Sequence, residues 1–303
     1  MSSPTGDPHE RPARFDVGIV GAGRVGAVLG AALVRAGHHV TGVSAVSEAS
    51  LERAERMLPG VPVKPIQDVV AGAHLVVLAV PDDALADLVA GLSATGTFTP
   101  GQLVVHTSGA HGIGVFETAL DSEIVPLALH PAMTFTGTPV DLERLHDCCF
   151  GVTTVDVARP VGEALVIEMG GDPVWVPEHE RVTYHAALAH GANHLVTLVA
   201  QSMQLLAEAG IEDPARVLEP LLSAALGNTL QLGDAALTGP VARGDAGTVA
   251  GHVAMLRTVA PDIRPTYLAL ARATAQRALL SGRLRADVAD PLLQLLAREE
   301  DRP

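Results

Sequence analysis

Residues 181–203, RVTYHAALAHGANHLVTLVAQSM, place His185, His190, Asn193, His194, Thr197 and Gln201 in a stretch with no Asp, Glu, Lys or Arg between Arg181 and Glu208. In a helix turning about 100° per residue, His190, Asn193, His194, Thr197 and Gln201 share one stripe, with Leu, Val and Ala on the other side. His185 falls elsewhere on the cylinder. An imidazole titrates near about pH 6.5, so it can deliver a proton at working pH. Asn193 can hydrogen-bond a carbonyl oxygen without carrying charge. His190 and Asn193 are therefore candidate catalytic residues facing a semi-dry cleft, where neutral groups cost less to desolvate than ions. The alternative is a helix buried in a dimer interface, its polar groups satisfied by the partner.

A second chemical segment is GNTLQLGDAALTGPVARGDAGTVAGH, residues 227–252, which gathers Asn228, Thr238, Gly239, Pro240, Arg243, Asp245 and His252. Arg243 can clamp a carboxylate through two parallel hydrogen bonds, with Thr238 and Asn228 as further substrate-binding groups. Arg243 can equally pair with Asp245. A helix starting at Asp245 puts Asp245, Thr248 and His252 on one face, with Asp245 as its cap.

A third lies near the N-terminus. Gly21, Gly23 and Gly26 form G-x-G-x-x-G directly after the apolar run FDVGIV and directly before a helical pattern. That context suits a dinucleotide: a tight turn, close approach of pyrophosphate to the backbone of Gly21, Ala22, Gly23, Arg24, Val25 and Gly26, and close helix–strand packing. An NAD site places Asp or Glu at the end of the second strand, but Ser44 and Ser47 stand there. Without a carboxylate to repel a 2′-phosphate, NADP(H) is favoured over NAD. Arg24, Arg53 and Arg56 are within reach of that phosphate, although Arg53 and Arg56 also fit a solvated helix face. Three later segments return to the same rim: AVPDDAL with Val80 and Pro81, where a nicotinamide ribose can lie, HTSGAHG with His106 and Ser108, and LHPAMTFTG with His130. His106 and His130 each have a structural or a functional reading.

The elements that must position these groups change character along the chain. FDVGIV, HHVTGVS, HLVVLAV, QLVVH, IVPLAL, CFGVTT and PVWV read as strands alternating with helices. Near-continuous apolar strands imply a mostly parallel sheet covered on both faces, with ligands at the strands' carboxyl ends. After Pro177 only helical periodicity remains, over 178–208, 213–231, 245–259, 262–280 and 285–298. The expected architecture is α/β: a disordered leader (1–14), a Rossmann-type dinucleotide-binding domain (15–177) and an all-helical substrate and dimerisation domain (178–303).

The net charge of −14 argues against nucleic acid and anionic membrane as partners, since phosphate binding needs accumulated positive charge. A small-molecule substrate fits better. Lys64 is the sole lysine. Cys148 and Cys149 are adjacent in what reads as a buried strand, an arrangement suited neither to a disulfide nor to zinc, so no metal is expected and a reducing cytosol fits. The polar leader lacks a signal-peptide stretch, and each long apolar run is interrupted before it spans a bilayer. A soluble cytoplasmic protein is expected.

Together the Gly21/Gly23/Gly26 fingerprint, HTSG, HPAMTF, YHAALAHGANHLVTL and ALTGPVARGD resemble the Rossmann-like proteins with a C-terminal domain of unknown function. Their layout is similar to ketopantoate reductases, pyrroline-5-carboxylate reductases and β-hydroxyacid dehydrogenases, and the resemblance spans residues 15–299. It implies a C-terminal domain of the 6-phosphogluconate dehydrogenase type, a homodimer, and reduction of ketopantoate to pantoate. HPAM also resembles the HPM of prephenate dehydrogenases, which implies a place for His130 beside the nicotinamide. In the hydroxyacid dehydrogenases and ketopantoate reductases, a lysine precedes by four residues the asparagine that Asn193 would match, and here that position is Ala189. Either His190 or His130 replaces the lysine as proton donor, or the chemistry differs. Two readings follow: an NADPH-dependent reductase of a small 2-oxo acid, or an NADP(H)-binding sensor or scaffold without hydride transfer. Nearer to the first lies an enzyme acting on an imine or a hydroxy acid.

Overall fold

The computed structural model describes residues 14–300, so the expected leader lies outside the described residues except for Arg14. Seven strands form one sheet: β1 (Asp16–Val20), β2 (His39–Ser44), β3 (Leu75–Leu78), β4 (Leu103–His106), β5 (Val125–Pro131), β6 (Cys149–Thr154) and β7 (Asp172–Trp175). Their order is β2-β1-β3-β4-β5-β6-β7. The first five strands run parallel, while β6 pairs antiparallel with β5 and β7 follows β6. Every strand of the apolar reading is present, and the sheet is mostly parallel as the pattern demands.

Thirteen helices accompany the sheet among the described residues. In the first half they are α1 (Arg24–Arg35), α2 (Glu48–Met57), α3 (Ile66–Ala71), α4 (Asp82–Ala94), α5 (Val140–Arg144) and α6 (Arg159–Glu168). Then come α7 (Arg181–Leu188), α8 (His194–Glu208), α9 (Pro214–Leu232), α10 (Gly239–Arg243), α11 (Ala246–Val259), α12 (Arg264–Leu280) and α13 (Ala286–Glu300). Side chains alternate across the pleat. Ile19, Val77, Val105 and Leu129 therefore join the core beneath α1 and α6, whereas Val76, Leu78 and Val104 join the one beneath α3 and α4. Both sheet faces are covered, which is why the strands read as continuous apolar runs. The adjacent cysteines divide between environments. Cys148 is buried, its thiol pushed up to about 12 by burial, but it precedes β6, while Cys149 opens β6 but is exposed, so the expected buried strand holds for neither.

The chain divides into two compact units, Met1–Gly191 and Ala192–Pro303. The strands end before Pro177, but the first unit continues through α7, whose Arg181 donates to carbonyls of β5 and β6. The second unit is built from α8 to α13. Val249, Val253, Leu268, Ala271, Ala275, Leu292 and Leu296 form its core between α11, α12 and α13. By contrast α8 contributes no buried residue and α9 only Leu218. Among the described residues no helix is long and apolar enough to cross a membrane.

Candidate active site

The glycine loop joins β1 to α1. Gly21 has φ +95°, and a Cβ there would stand 2.6 Å from the Ala79 carbonyl oxygen. A Cβ on Gly26 would come within 2.1 Å of the Gly21 oxygen, so the helix can pack on the strand only without one. Around Gly23 nothing lies within 4 Å of the corresponding position. Gly23 is also the N-cap of α1, has no side-chain cap, and is followed by no acidic residue in the first turn. The amides that open a helix lack internal acceptors. Those of Gly23, Arg24, Val25 and Gly26 therefore lie at the positive end of α1, with open space beside Gly23, a setting that suits a phosphate.

Ser44 takes another part than direct contact with a ribose. It is buried, and its hydroxyl accepts the Gly21 amide at 3.0 Å. Ser47 accepts the Ser50 amide and caps α2. Buried or end-of-helix amides need an acceptor, and these serines supply it. Arg53 donates through Nη1 to the Ala22 carbonyl at 3.0 Å, and its buried Nε has no partner. A Cβ on Gly137 would touch both the Arg53 and the Arg24 side chains, so the two arginines converge beside the turn after β5. Arg56 is exposed on α2. The buried carboxylate of Asp141 holds that turn by accepting the amides of Thr136 and Gly137. Val80 lies beside the glycine loop, and Pro81 precedes α4.

The histidines on the rim divide sharply. His106 is fully buried; its Nε2 donates to the Gly112 carbonyl at 2.9 Å and its Nδ1 accepts the Ser108 amide at 3.2 Å. Burial lowers its pKa to about 4. Both ring nitrogens are occupied, and His106 organises the HTSG turn. Ser108, expected at the cofactor, is buried and accepts the amides of Ala110 and His111 in the same turn.

His130, near the end of β5, is only partly buried. Its Nδ1 lies 3.0 Å from the Tyr184 hydroxyl, with the rings at 88°. His185 lies on its other side, ring centroids 6.1 Å apart. Gly109 packs against both imidazoles. Burial first, then the charge of Arg181 and then His185, lower the His130 pKa to about 4, so its imidazole is neutral at physiological pH. Burial also raises the pKa of Tyr184. Beneath the cluster sits Arg181, 1% exposed. Its guanidinium donates to the carbonyls of Ala128 and Gly151 and to the Thr153 hydroxyl, at 2.9, 3.1 and 2.7 Å. Burial lowers its pKa to about 10, which leaves it charged. Among the described residues no carboxylate lies within 4 Å of it, and the charge of Glu178 acts on it from farther away. Glu178 pins the entry to α7 by accepting the amides of Ile113 and Gly114. Tyr184, His185 and Arg181 join the site although sequence spacing gives them no role there; the signal for them is their presence in the first turns of a helix that follows directly on the last strand.

The backbone alters the polar stripe. Residues Ala189–Asn193 form a π turn, in which the repeat widens toward five residues and breaks the expected phase. His190 consequently aligns with His194 rather than with Asn193, and His190, Asn193 and His194 are all exposed. His185, expected off the stripe, is the histidine that meets His130. Further along, Gln201 donates to Thr266 at 3.2 Å and so faces α12.

Within the helical unit Thr238 lines a cavity, but Asn228 and Arg243 do not. Both are exposed, and among the described residues Arg243 makes no ion pair within 4 Å; its charge acts on Asp245 from farther away. Asp245 caps α11, accepting the Thr248 amide at 3.0 Å, as its position implied. Among the described residues no group of three or more His, Cys, Asp or Glu could hold a metal ion.

Comparison with known proteins agrees with this architecture. Residues 1–131 match the family model of the Rossmann-like domain, and residues 148–274 match that of a domain of unknown function, DUF2520. No curated protein matches the sequence. Among solved structures, a candidate NADP oxidoreductase from Bacteroides fragilis is similar at 22% identity and a TM-score of 0.74, over 87% of this chain and 98% of that one. An imine reductase from a Pseudomonas species is 17% identical, with a TM-score of 0.63 over 94% and 100% of the two chains. A pyrroline carboxylate reductase from Plasmodium falciparum, with NADP bound, is 12% identical, with a TM-score of 0.57 over 87% and 97%. At these identities the likeness is one of fold.

Proposed function

For a chain that joins a Rossmann-like domain to a DUF2520 domain, we propose an NADP(H)-dependent oxidoreductase that reduces a C=O or C=N bond of a small molecule. One observation carries the reading: an open glycine cradle and a His130–Tyr184–His185 cluster stand at carboxyl ends of strands in the same parallel array. The residues fit the cofactor. The amides of Gly23, Arg24, Val25 and Gly26 would receive the pyrophosphate, Ala22 and Ser44 shape the loop, and Val80, Pro81 and the Ser108 turn border the rim. Arg24 and Arg53, the latter with a buried Nε lacking a partner, favour the 2′-phosphate of NADP(H) over NAD. When bound, the nicotinamide would supply hydride.

The chain's own part is to receive the charge that builds on the acceptor atom. His130 is neutral, so with the Tyr184 hydroxyl donating to Nδ1 its Nε2–H can hydrogen-bond that atom as hydride arrives, while the proton that completes the reduction comes from water. Burial first, and then the charge of Arg181, keep that imidazole uncharged, and the guanidinium disfavours a cationic group beside it. His190 and Asn193 are proposed as the further proton-handling and carbonyl-binding groups on the π turn. Among carbonyl substrates ketopantoate is the one the family resemblance suggests. The exposed Arg243 offers a carboxylate contact but no enclosed clamp, with the exposed Asn228 as its proposed companion, whereas Thr238, expected beside them, lines the cavity instead.

We also propose that the helical unit pairs with a second copy to form a homodimer. On α8 and α9 the side chains of Val196, Leu221, Leu226, Leu230 and Leu232 are more than half exposed, Leu230 at 79%. Such a run of uncovered apolar side chains is unusual for a monomer.

The test is nicotinamide absorbance over time with purified protein, NADPH and either ketopantoate or a five-membered cyclic imine, with NADH as control. Oxidation that requires one of these acceptors and favours NADPH supports the reductase. Tight NADPH binding without oxidation by either moves the reading to a sensor or scaffold.

A further inference from the structure

We infer that the helical unit holds a binding site of its own for an uncharged, largely apolar small molecule that carries a hydrogen-bond acceptor. The cavity lies between α8, α10, α11 and α12 and has a volume of about 350 Å³. Small-molecule pockets span roughly 300–1,000 Å³, whereas packing voids seldom exceed a water molecule. Leu198, Leu205, Val241, Ile263 and Leu270 supply apolar wall. No Asp, Glu, Lys or Arg lines it, although the chain carries 54 such residues (34 acidic and 20 basic). An ionic ligand would leave its hydration there without meeting a counter-charge, so a neutral ligand is selected.

The polar groups define the ligand further. His252 and Tyr267 both line the cavity, with Nδ1 2.8 Å from the hydroxyl and the rings at 83°. If Tyr267 donates to Nδ1, the imidazole carries a proton on Nε2 and can donate from there. If Nδ1 donates instead, the Tyr267 hydroxyl keeps its own hydrogen to give. Either tautomer leaves one donor, so the ligand answers with an acceptor such as a ketone, ether or amide oxygen. Gln201 and Thr266, bonded to each other at 3.2 Å, form a second polar spot on the wall. This inference does not rest on the nicotinamide chemistry.

The test uses the full-length chain and the neutral fluorescent probe N-phenyl-1-naphthylamine. Saturable binding is expected, and Thr274→Phe, which fills the cavity, should weaken it about tenfold or more. Ser202→Phe serves as the second filling variant if the first melts early. Displacement is then compared for 4-phenyl-2-butanone and its charged counterpart 4-phenyl-2-oxobutanoate. The ketone should displace the probe at about tenfold lower concentration, and Tyr267→Phe should shrink that advantage about threefold while leaving probe binding in place. Probe binding indifferent to both filling variants overturns the site. An oxo acid that competes as well as the ketone overturns the ligand class. Loss of the probe site whenever the chain self-associates would show that the cavity is a seam between copies, and would overturn the proposal as well.

Discussion

Two histidine–tyrosine pairs of nearly the same geometry occur in this chain, one in each unit. His130 and Tyr184 meet at 3.0 Å with rings at 88°, and His252 and Tyr267 meet at 2.8 Å with rings at 83°. Their surroundings differ completely. The pair at His130 stands over a buried guanidinium and beside another imidazole, near the end of a parallel strand. The pair at His252 faces a cavity with no Asp, Glu, Lys or Arg on its wall. The contact alone assigns no role. Burial and a neighbouring charge turn one pair into a neutral donor for the charge that builds on an acceptor atom, while apolar walls turn the other into a hydrogen-bonding anchor.

The comparison breaks most readily at Arg181. Arg181→Met should cost about 3 kcal/mol, since the Ala128 and Gly151 carbonyls each lose a charged donor at about 1.5–3 kcal/mol, while the Thr153 hydroxyl keeps its bond to the Val176 carbonyl. The midpoint of urea unfolding reads this directly, and a shift within experimental scatter would mean that the guanidinium is not what holds the pair at His130.

Acid should act in the same unit. The unfolded chain protonates a histidine near 6.5, but folded His106 and His130 do so only near 4. Their contribution to stability is complete above pH 6.5 and is lost as pH falls toward 4, at up to about 1.4 kcal/mol per pH unit for each. Unfolding curves across this window should flatten in His106→Asn, and an equally steep wild-type and variant profile would rule the buried imidazole out as the cause.

At the cradle, Gly26→Ala is expected to weaken NADPH binding about 100-fold, or about 2.7 kcal/mol, because the new methyl group must displace the Gly21 carbonyl. Fluorescence titration checks it. The smallest effect separates the two pairs most cleanly. Tyr184→Phe should lower turnover about tenfold, or about 1.4 kcal/mol, with little change in NADPH affinity. Tyr267→Phe should leave NADPH affinity unchanged and alter only ligand displacement in the helical unit. Equal responses of turnover to both variants would erase the distinction.

Much of the fold was legible in the residues because local chemistry and burial pointed the same way. A strand covered on both faces has no polar side to interrupt it, so FDVGIV, HLVVLAV and QLVVH announce a parallel sheet. Three glycines at the right spacing between strand and helix announce a tight turn, since no side chain fits at Gly21 or Gly26 and Gly23 leaves the helix start open. Asp245 could be read as a cap because a helix start needs an acceptor for its amides.

What only the tertiary structure decided were the partnerships and the phase. His130 and Tyr184 are separated by 54 residues, and nothing local tells which histidine Tyr184 meets. The antiparallel β6 brings Gly151 opposite His130, and Arg181 reaches its carbonyl from α7. Ser44 has the position of a ribose contact but is taken by the Gly21 amide, a demand visible only once the loop is folded. The π turn at Ala189–Asn193 is a choice of hydrogen-bonding register, and no side-chain pattern encodes it. One extra residue in a turn was enough to part His190 from Asn193, because on a helix the neighbours are set by the backbone repeat and not by the spacing of letters.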